Sequence, residues 1–144
     1  MKLKENYQQA VKVFQPKPPY VLNGIKAFFI GGLLCLAGEA LQKGYVFLFD
    51  MSLLEAQHLM LLTFIFLAIV LTGIGIYDSF SQFAGAGATI LITGFANALA
   101  SAALEHRSEG WITGVANHMF KIGGAVIVYG IVVAYLFGTI HLIF

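Results

Sequence analysis

The chain has 144 residues, one domain's worth, with 59% hydrophobic and only 10% charged residues. Soluble domains carry about 25% charged residues, and the mean hydropathy here is +0.85, so the composition is that of an integral membrane protein. A formal net charge of +1 gives nucleic-acid binding no electrostatic support, and the single cysteine, Cys35, sits in an apolar run and excludes a disulfide scaffold.

Residues 1–26 hold five lysines against one glutamate. Segment 5–14 can form a short helix with Tyr7, Val11 and Phe14 on one side, a spacing suited to a membrane interface. A solvated basic tail is an equal reading. Pro16, Pro18 and Pro19 end any such helix. There is no pattern of basic start, apolar run and small-residue cleavage site, so no removable signal peptide is expected. Residues 1–24 are read as a basic cytosolic or interfacial segment and 25–144 as a polytopic membrane domain.

The first span is expected from about Ala27 to Gln42, with Tyr45–Phe49 extending it while Lys43 snorkels. The second, Leu59–Tyr77, has nineteen uncharged residues, enough to cross roughly 30 Å of hydrocarbon. The last, Ile122–Phe144, carries only His141 as an ionisable group. Between them lie seventeen uncharged residues (Ala88–Leu104), the sequence EHRSEG, and ten more (Trp111–Phe120) before Lys121. Two topologies fit. Residues 83–104 cross as an ordinary helix, giving four spans, or 88–104 and 111–120 are the arms of a broken or re-entrant hairpin. The expected fold is all-α, with roughly four membrane segments including that Gly-rich one. The lysines place the N-terminus in the cytosol. Faint echoes, of Ala68–Phe80 in Ala125–Phe137 and of Ile30–Ala40 in Ile92–Ala102, suit a transporter repeat but arise easily by chance.

The polar residues of the Gly-rich stretch are regular. Thr89, Thr93, Asn97 and Ser101 recur every four residues and form a slowly winding stripe on an α-helix. Such a stripe faces protein or water, either as close helix packing or as the wall of an aqueous path. Gly85 and Gly87 favour a bend just before a helix start, whose free N–H groups can hold a carboxylate. A close helix crossing accounts for the same glycines.

Glu39 follows twelve uncharged residues in the first span. A carboxylate at the centre of a membrane helix costs about 2.5–3.5 kcal/mol and marks a lined or paired site. If the helix ends near Gly38, Glu39 is interfacial. Asp78 reads as a boundary residue before the Gly-rich turn. His106 and Glu109 have the spacing of half a zinc motif, but Gly110 stands where a second histidine is needed. His58, His118 and His141 fall near helix ends. Neither an enzyme nor a metal or other cofactor is expected.

The runs KENYQQAVKVFQPKPPYVLNGIKAFFIGGLLCLAGEALQ, TGIGIYDSFSQFAGAGATILITGFANALASAALEHRSEG and GVANHMFKIGGAVIVYG resemble the stage V sporulation protein AC family over nearly the whole chain. Together FAGAGAT, ITGFAN and SAALEHRSEG are specific, and the long basic start with PKPP favours the AC type over the related AE type. The resemblance implies a component of the forespore or spore inner membrane that works with other stage V A subunits. These are an AE-type membrane partner and a cytosolic AD-type subunit. It implies movement of dipicolinate with calcium into the forespore, release in germination, and a tension-responsive channel. Location alone then assigns roles. Gly85, Gly87 and Thr89 form the turn and its anion-facing backbone, and Thr93, Asn97 and Ser101 form the wall. Glu39 sets polarity on the path, and Asp78 and Glu105 are gate candidates. The competing expectation is a non-conducting scaffold subunit of the same complex.

Overall fold

The computed structural model describes residues 19–143, and every regular element among them is helical. The helix expected over 5–14 lies outside the described residues. Two long helices, α1 (Tyr20–Phe49) and α2 (Leu53–Ile74), form an antiparallel pair. The turn between them is short because Asp50 adopts a left-handed conformation at φ 51°, which Asp tolerates better than most residues. Ser52 then caps α2. Its hydroxyl accepts from the Glu55 N–H at 3.4 Å, while the Glu55 carboxylate accepts from the Ser52 N–H at 3.0 Å. This capping box starts α2 ahead of the expected Leu59, so Glu55 and His58 lie inside the helix.

Helix α1 starts ahead of the expected Ala27 and runs through Lys43 to Phe49, the extension expected for it, and both lysines explain why. The Lys26 ammonium sits 5.0 Å from the centroid of the Phe83 ring. Lys43 pairs with Glu39, one helical turn back, at 2.7 Å. Neither charge has to end the helix. The pair is held by Tyr45 Oη against Thr63 Oγ1 at 2.9 Å, by Gln42 Nε2 donating to the Leu53 carbonyl at 3.2 Å, and by Phe64 seated over Gly38.

Gly75, at φ 84°, ends α2 and opens the amphipathic α3 (Ile76–Ala84), which buries Tyr77 and Ala84 and leaves Asp78 exposed. Gly85, at φ 58° and ψ −134°, lets the chain turn into a single helical turn, α4 (Ala86–Thr89). After Ile90 and Leu91 comes α5 (Ile92–Glu105), then a 3₁₀ turn (Arg107–Glu109) and a π-helical turn (Trp111–Ala116) that runs into α6 (Asn117–Ile143).

Three helical stretches are long and apolar enough to cross a membrane: Tyr20–Phe49, Leu53–Ile74 and Trp111–Ile143. The Gly-rich segment is not an uninterrupted helix over 83–104. It breaks at Gly85 and again at Ile90–Leu91, and α5 has 14 residues where a crossing needs about 20. Residues 111–120 do not end as a separate arm either, since they lead directly into α6. The interior is built from small side chains. Ala56, Ala68, Ala84, Ala88, Ala96 and Ala102 are buried, while most large apolar groups face outward. That inversion suits helices that meet one another through close backbones and meet lipid through bulk.

Candidate functional site

The broken segment is fixed by close approaches of backbone to backbone. A side chain on Gly87 would strike the backbone carbonyl of Ala27, and one on Gly31 would lie 3.4 Å from the Gly87 Cα. Helix α4 therefore lies directly on the first half of α1. Beyond it, Leu91 joins Leu34, Cys35 and Gly38 around one cleft, level with the middle of α1. Thr93 lies beside Phe64, halfway along α2. Asn97 reaches Thr72, near the end of α2. The chain thus runs down beside α1, turns at Ile90–Leu91 level with the midpoints of α1 and α2, and returns along α2 as α5. Gly94 makes the turn possible, because a Cβ there would strike the Thr89 carbonyl.

The cleft at this turn has a volume of about 550 Å³. Glu39, Gln42 and Lys43 line it on one side and the start of α5 (Leu91, Ile92, Thr93) on the other, with apolar walls from Met60, Leu61 and Phe64. The start of α5 has no side-chain cap. Its first accepting carbonyl, that of Leu91, takes the N–H groups of Gly94 (2.9 Å) and Phe95 (3.4 Å), which leaves those of Ile92 and Thr93 without a helical acceptor. Thr93 is 8% exposed, and its Oγ1 has no hydrogen-bond partner among the described residues.

The expected stripe is divided among three environments. Thr89 is exposed on the descending arm, where its hydroxyl donates to the Gly85 carbonyl at 3.1 Å. Thr93 lines the cleft. Asn97 is half-buried against α2, 2.7 Å from the Thr72 hydroxyl, which also lies 2.6 Å from the Ala68 carbonyl. The Asn97 atom placed there is Oδ1, an acceptor like the Ala68 carbonyl, and the hydroxyl has one proton, so both contacts are satisfied only with the amide turned over so that Nδ2 donates to Thr72. Ser101 faces α6, in a second cleft with Glu105, His106, His118 and Lys121. At the turn, the Gly85 N–H already bonds the Ser81 carbonyl (2.8 Å) and the Thr89 N–H bonds the Gly85 carbonyl (3.2 Å). Glu39 is exposed on α1 and paired with Lys43, and Asp78 is exposed on α3.

Sequence reasoning missed two features. Thr72 is the buried partner of Asn97, and the signal available was a hydroxyl residue in an otherwise apolar run just ahead of Gly73 and Gly75. The other is a histidine stack. The rings of His106 and His118 lie 3.4 Å apart and 15° from parallel, and each Nδ1 donates to a carbonyl one turn back, Ala102 and Gly114 respectively. The π-helical turn brings them together by packing Gly114 on the His106 carbonyl. Among the described residues, no group of three His, Cys, Asp or Glu side chains could hold a metal ion.

Three apolar helices of crossing length around a glycine-broken, polar-faced segment define a polytopic helical membrane protein. The chain belongs to the SpoVAC/SpoVAEB sporulation membrane protein family, whose sequence profile matches residues 23–140. It is similar to stage V sporulation protein AC of Bacillus subtilis (strain 168), with 52% identity over 142 residues, covering 99% of this chain and 95% of that protein. No solved structure matches it.

Proposed function

We propose that this chain is a path-forming subunit of a sporulation membrane complex that moves dipicolinate, together with calcium, across the forespore or spore inner membrane. One observation carries the reading. An uncapped helix start, Leu91–Thr93, lies level with the midpoints of α1 and α2 at the inner end of a cleft. Broken backbone at membrane depth is tolerated only where protein or a water-filled cavity surrounds it. In transporters, such half-helix starts are where anionic substrates are held. In this reading residues 85–105 enter and leave on one side of the bilayer as a re-entrant fourth segment. The lysine-bearing N-terminal end of α1 lies on that same side, in the cytosol. Gly85, Gly87 and Thr89 shape the descent, Thr93, Asn97 and Ser101 line successive parts of the path, and Asp78 and Glu105 stand at its cytosolic edge. Membrane tension, by spreading the helices, opens the path in germination. An AE-type membrane subunit and a cytosolic AD-type subunit complete the complex.

Dipicolinate efflux from liposomes tests this, with the protein alone and with its AE-type partner, under osmotic tension. Efflux above that of empty liposomes is expected, and Asn97→Leu should lower it several-fold without loss of membrane insertion. Efflux unchanged by Asn97→Leu would remove the wall role of α5. Absence of efflux from inserted protein in both settings would favour the second reading, a scaffold. That reading has its own support, because α6 is exposed on every side from Ala125 onward and offers a long surface for a neighbouring subunit.

A further inference from the structure

We infer that the His106–His118 stack is a proton-sensitive latch that holds α6 against the end of α5. The inference does not depend on the solute-path reading. Helix α6 is sparsely anchored. Along the third span, Trp111–Ile143, buried or half-buried residues occur only from Gly114 to Gly124, and every residue from Ala125 onward is exposed. Its attachment therefore lies in its first turns, where the two imidazoles lie face to face with centroids 3.4 Å apart and planes 15° from parallel. The backbone there is also irregular. A 3₁₀ turn (Arg107–Glu109) and a π-helical turn (Trp111–Ala116) join α5 to α6, and helices bend at interruptions of this kind. A latch beside a hinge can move a whole helix.

The stack is built for uncharged rings. Each Nδ1 faces a carbonyl oxygen, that of Ala102 at 3.1 Å and that of Gly114 at 2.9 Å, so each ring carries a proton on Nδ1. Nε2 is then the basic atom of both. One added proton leaves a single charge and no repulsion. Two place unit charges with ring centroids 3.4 Å apart, and these repel by several times thermal energy even at the effective dielectric of a protein. Neighbouring charges do not relieve the repulsion. Glu105 and Lys121 line the same cleft with opposite signs, and Arg107 and Glu109 oppose each other on the 3₁₀ turn. Among the described residues, none of the four is in ion-pair contact with either ring. The cleft, of about 620 Å³, has Glu105 and Lys121 exposed along it, so water reaches the rings. Histidine changes charge between about pH 5 and 8, and acidification through that range releases the latch.

The length of α6 amplifies the release. From His118 to Leu142 the helix runs about 36 Å, so a change in tilt of about 10° moves Leu142 by about 6 Å. Full-length protein carrying Cys35→Ala, Phe47→Cys and Leu142→Cys would be spin-labelled at the two new cysteines and placed in nanodiscs. Both label sites are exposed, and Phe47 belongs to the α1–α2 pair, which serves as the fixed reference. Pulsed electron resonance then measures their separation at about pH 8 and about pH 5. The distance is expected to shift or broaden by about 6 Å on acidification. His118→Phe and His106→Phe each keep a stacked ring that cannot take a charge, so both should hold the alkaline distance at either pH. His58→Gln and Glu105→Gln should respond as the histidine-intact protein does. No change in the histidine-intact protein would overturn the latch. So would a response that survives in either phenylalanine variant, or one that disappears in Glu105→Gln. If both phenylalanine variants lose the alkaline distance, stacking is not what holds α6, and the latch fails as well.

Discussion

The α1–α2 pair and the segment from Ile76 to Glu105 differ in sequence, the first rich in large apolar side chains and the second in small and polar ones, and they are held together in different ways. In the pair, side chains do the work: a tyrosine hydroxyl on Thr63, an amide on Leu53, a phenyl ring over Gly38. Exposed leucines and phenylalanines coat the outside. In the broken segment, backbone meets backbone, with Gly87 against Ala27 and Gly94 against Thr89. Side-chain packing can adjust by changing rotamers, whereas a carbonyl in a packed helix cannot move aside. The first region should therefore tolerate change and the second should not.

The largest effect expected from that contrast is at Gly87 and Gly94. Alanine at either position drives a methyl group into a backbone carbonyl and should destabilise the protein by about 1–3 kcal/mol or more. Reversible unfolding in bicelles measures it. The control is Gly130→Ala on α6, where nothing lies within 4 Å and the helix-propensity gain makes the change neutral or mildly favourable. Equal losses at Gly94 and Gly130 would erase the distinction between the two regions.

A smaller effect, about 1 kcal/mol, is expected from Thr72→Val, which takes the partner from the Asn97 amide. Thr72→Val combined with Asn97→Leu should cost less than the two single changes added together, because both remove one interaction. Strict additivity would mean that the 2.7 Å contact carries no energy. The smallest effect belongs to Glu39 and Lys43. Their side chains are 59% and 74% exposed, so neutralising either should leave unfolding unchanged within error. A clear loss would show that the pair is shielded from water, by lipid or by a neighbouring subunit.

Much of this architecture was legible in the sequence. Long uncharged runs marked three spans because hydrocarbon demands length and apolarity, and GAGAT marked a break because glycine relieves backbone sterics there. The second break, at Ile90–Leu91, was not legible. The glycines drew attention to 85–87, whereas the uncapped start at Leu91–Thr93 is made of Leu, Ile and Thr, residues with no turn signature. It exists because Gly94 lets Thr89 fold back over the first turn of α5, a contact that a four-residue polar period does not encode. The period was real as a pattern, but the chain reversal sends Thr89, Thr93, Asn97 and Ser101 to different neighbours. The first span starts earlier than expected because Lys26 is no stop signal, while the extension past Lys43 to Phe49 is as expected. Lys26 finds a ring and Lys43 a carboxylate, so the helix carries both.

The crossing of Gly87 over Ala27 and Gly31 also bears on how the chain is assembled at the ribosome. The surface that receives the broken segment consists of α1 and α2, both of which leave the exit tunnel before it does. The translocon can release that first hairpin into lipid as a finished unit. In the proposed re-entrant arrangement the later segment, too short to stay in the bilayer by its own hydrophobicity, enters by docking on a partner already in place. On that reading its insertion is a folding event rather than a partitioning one, and a lesion at Gly87 should appear as misinserted protein degraded during synthesis.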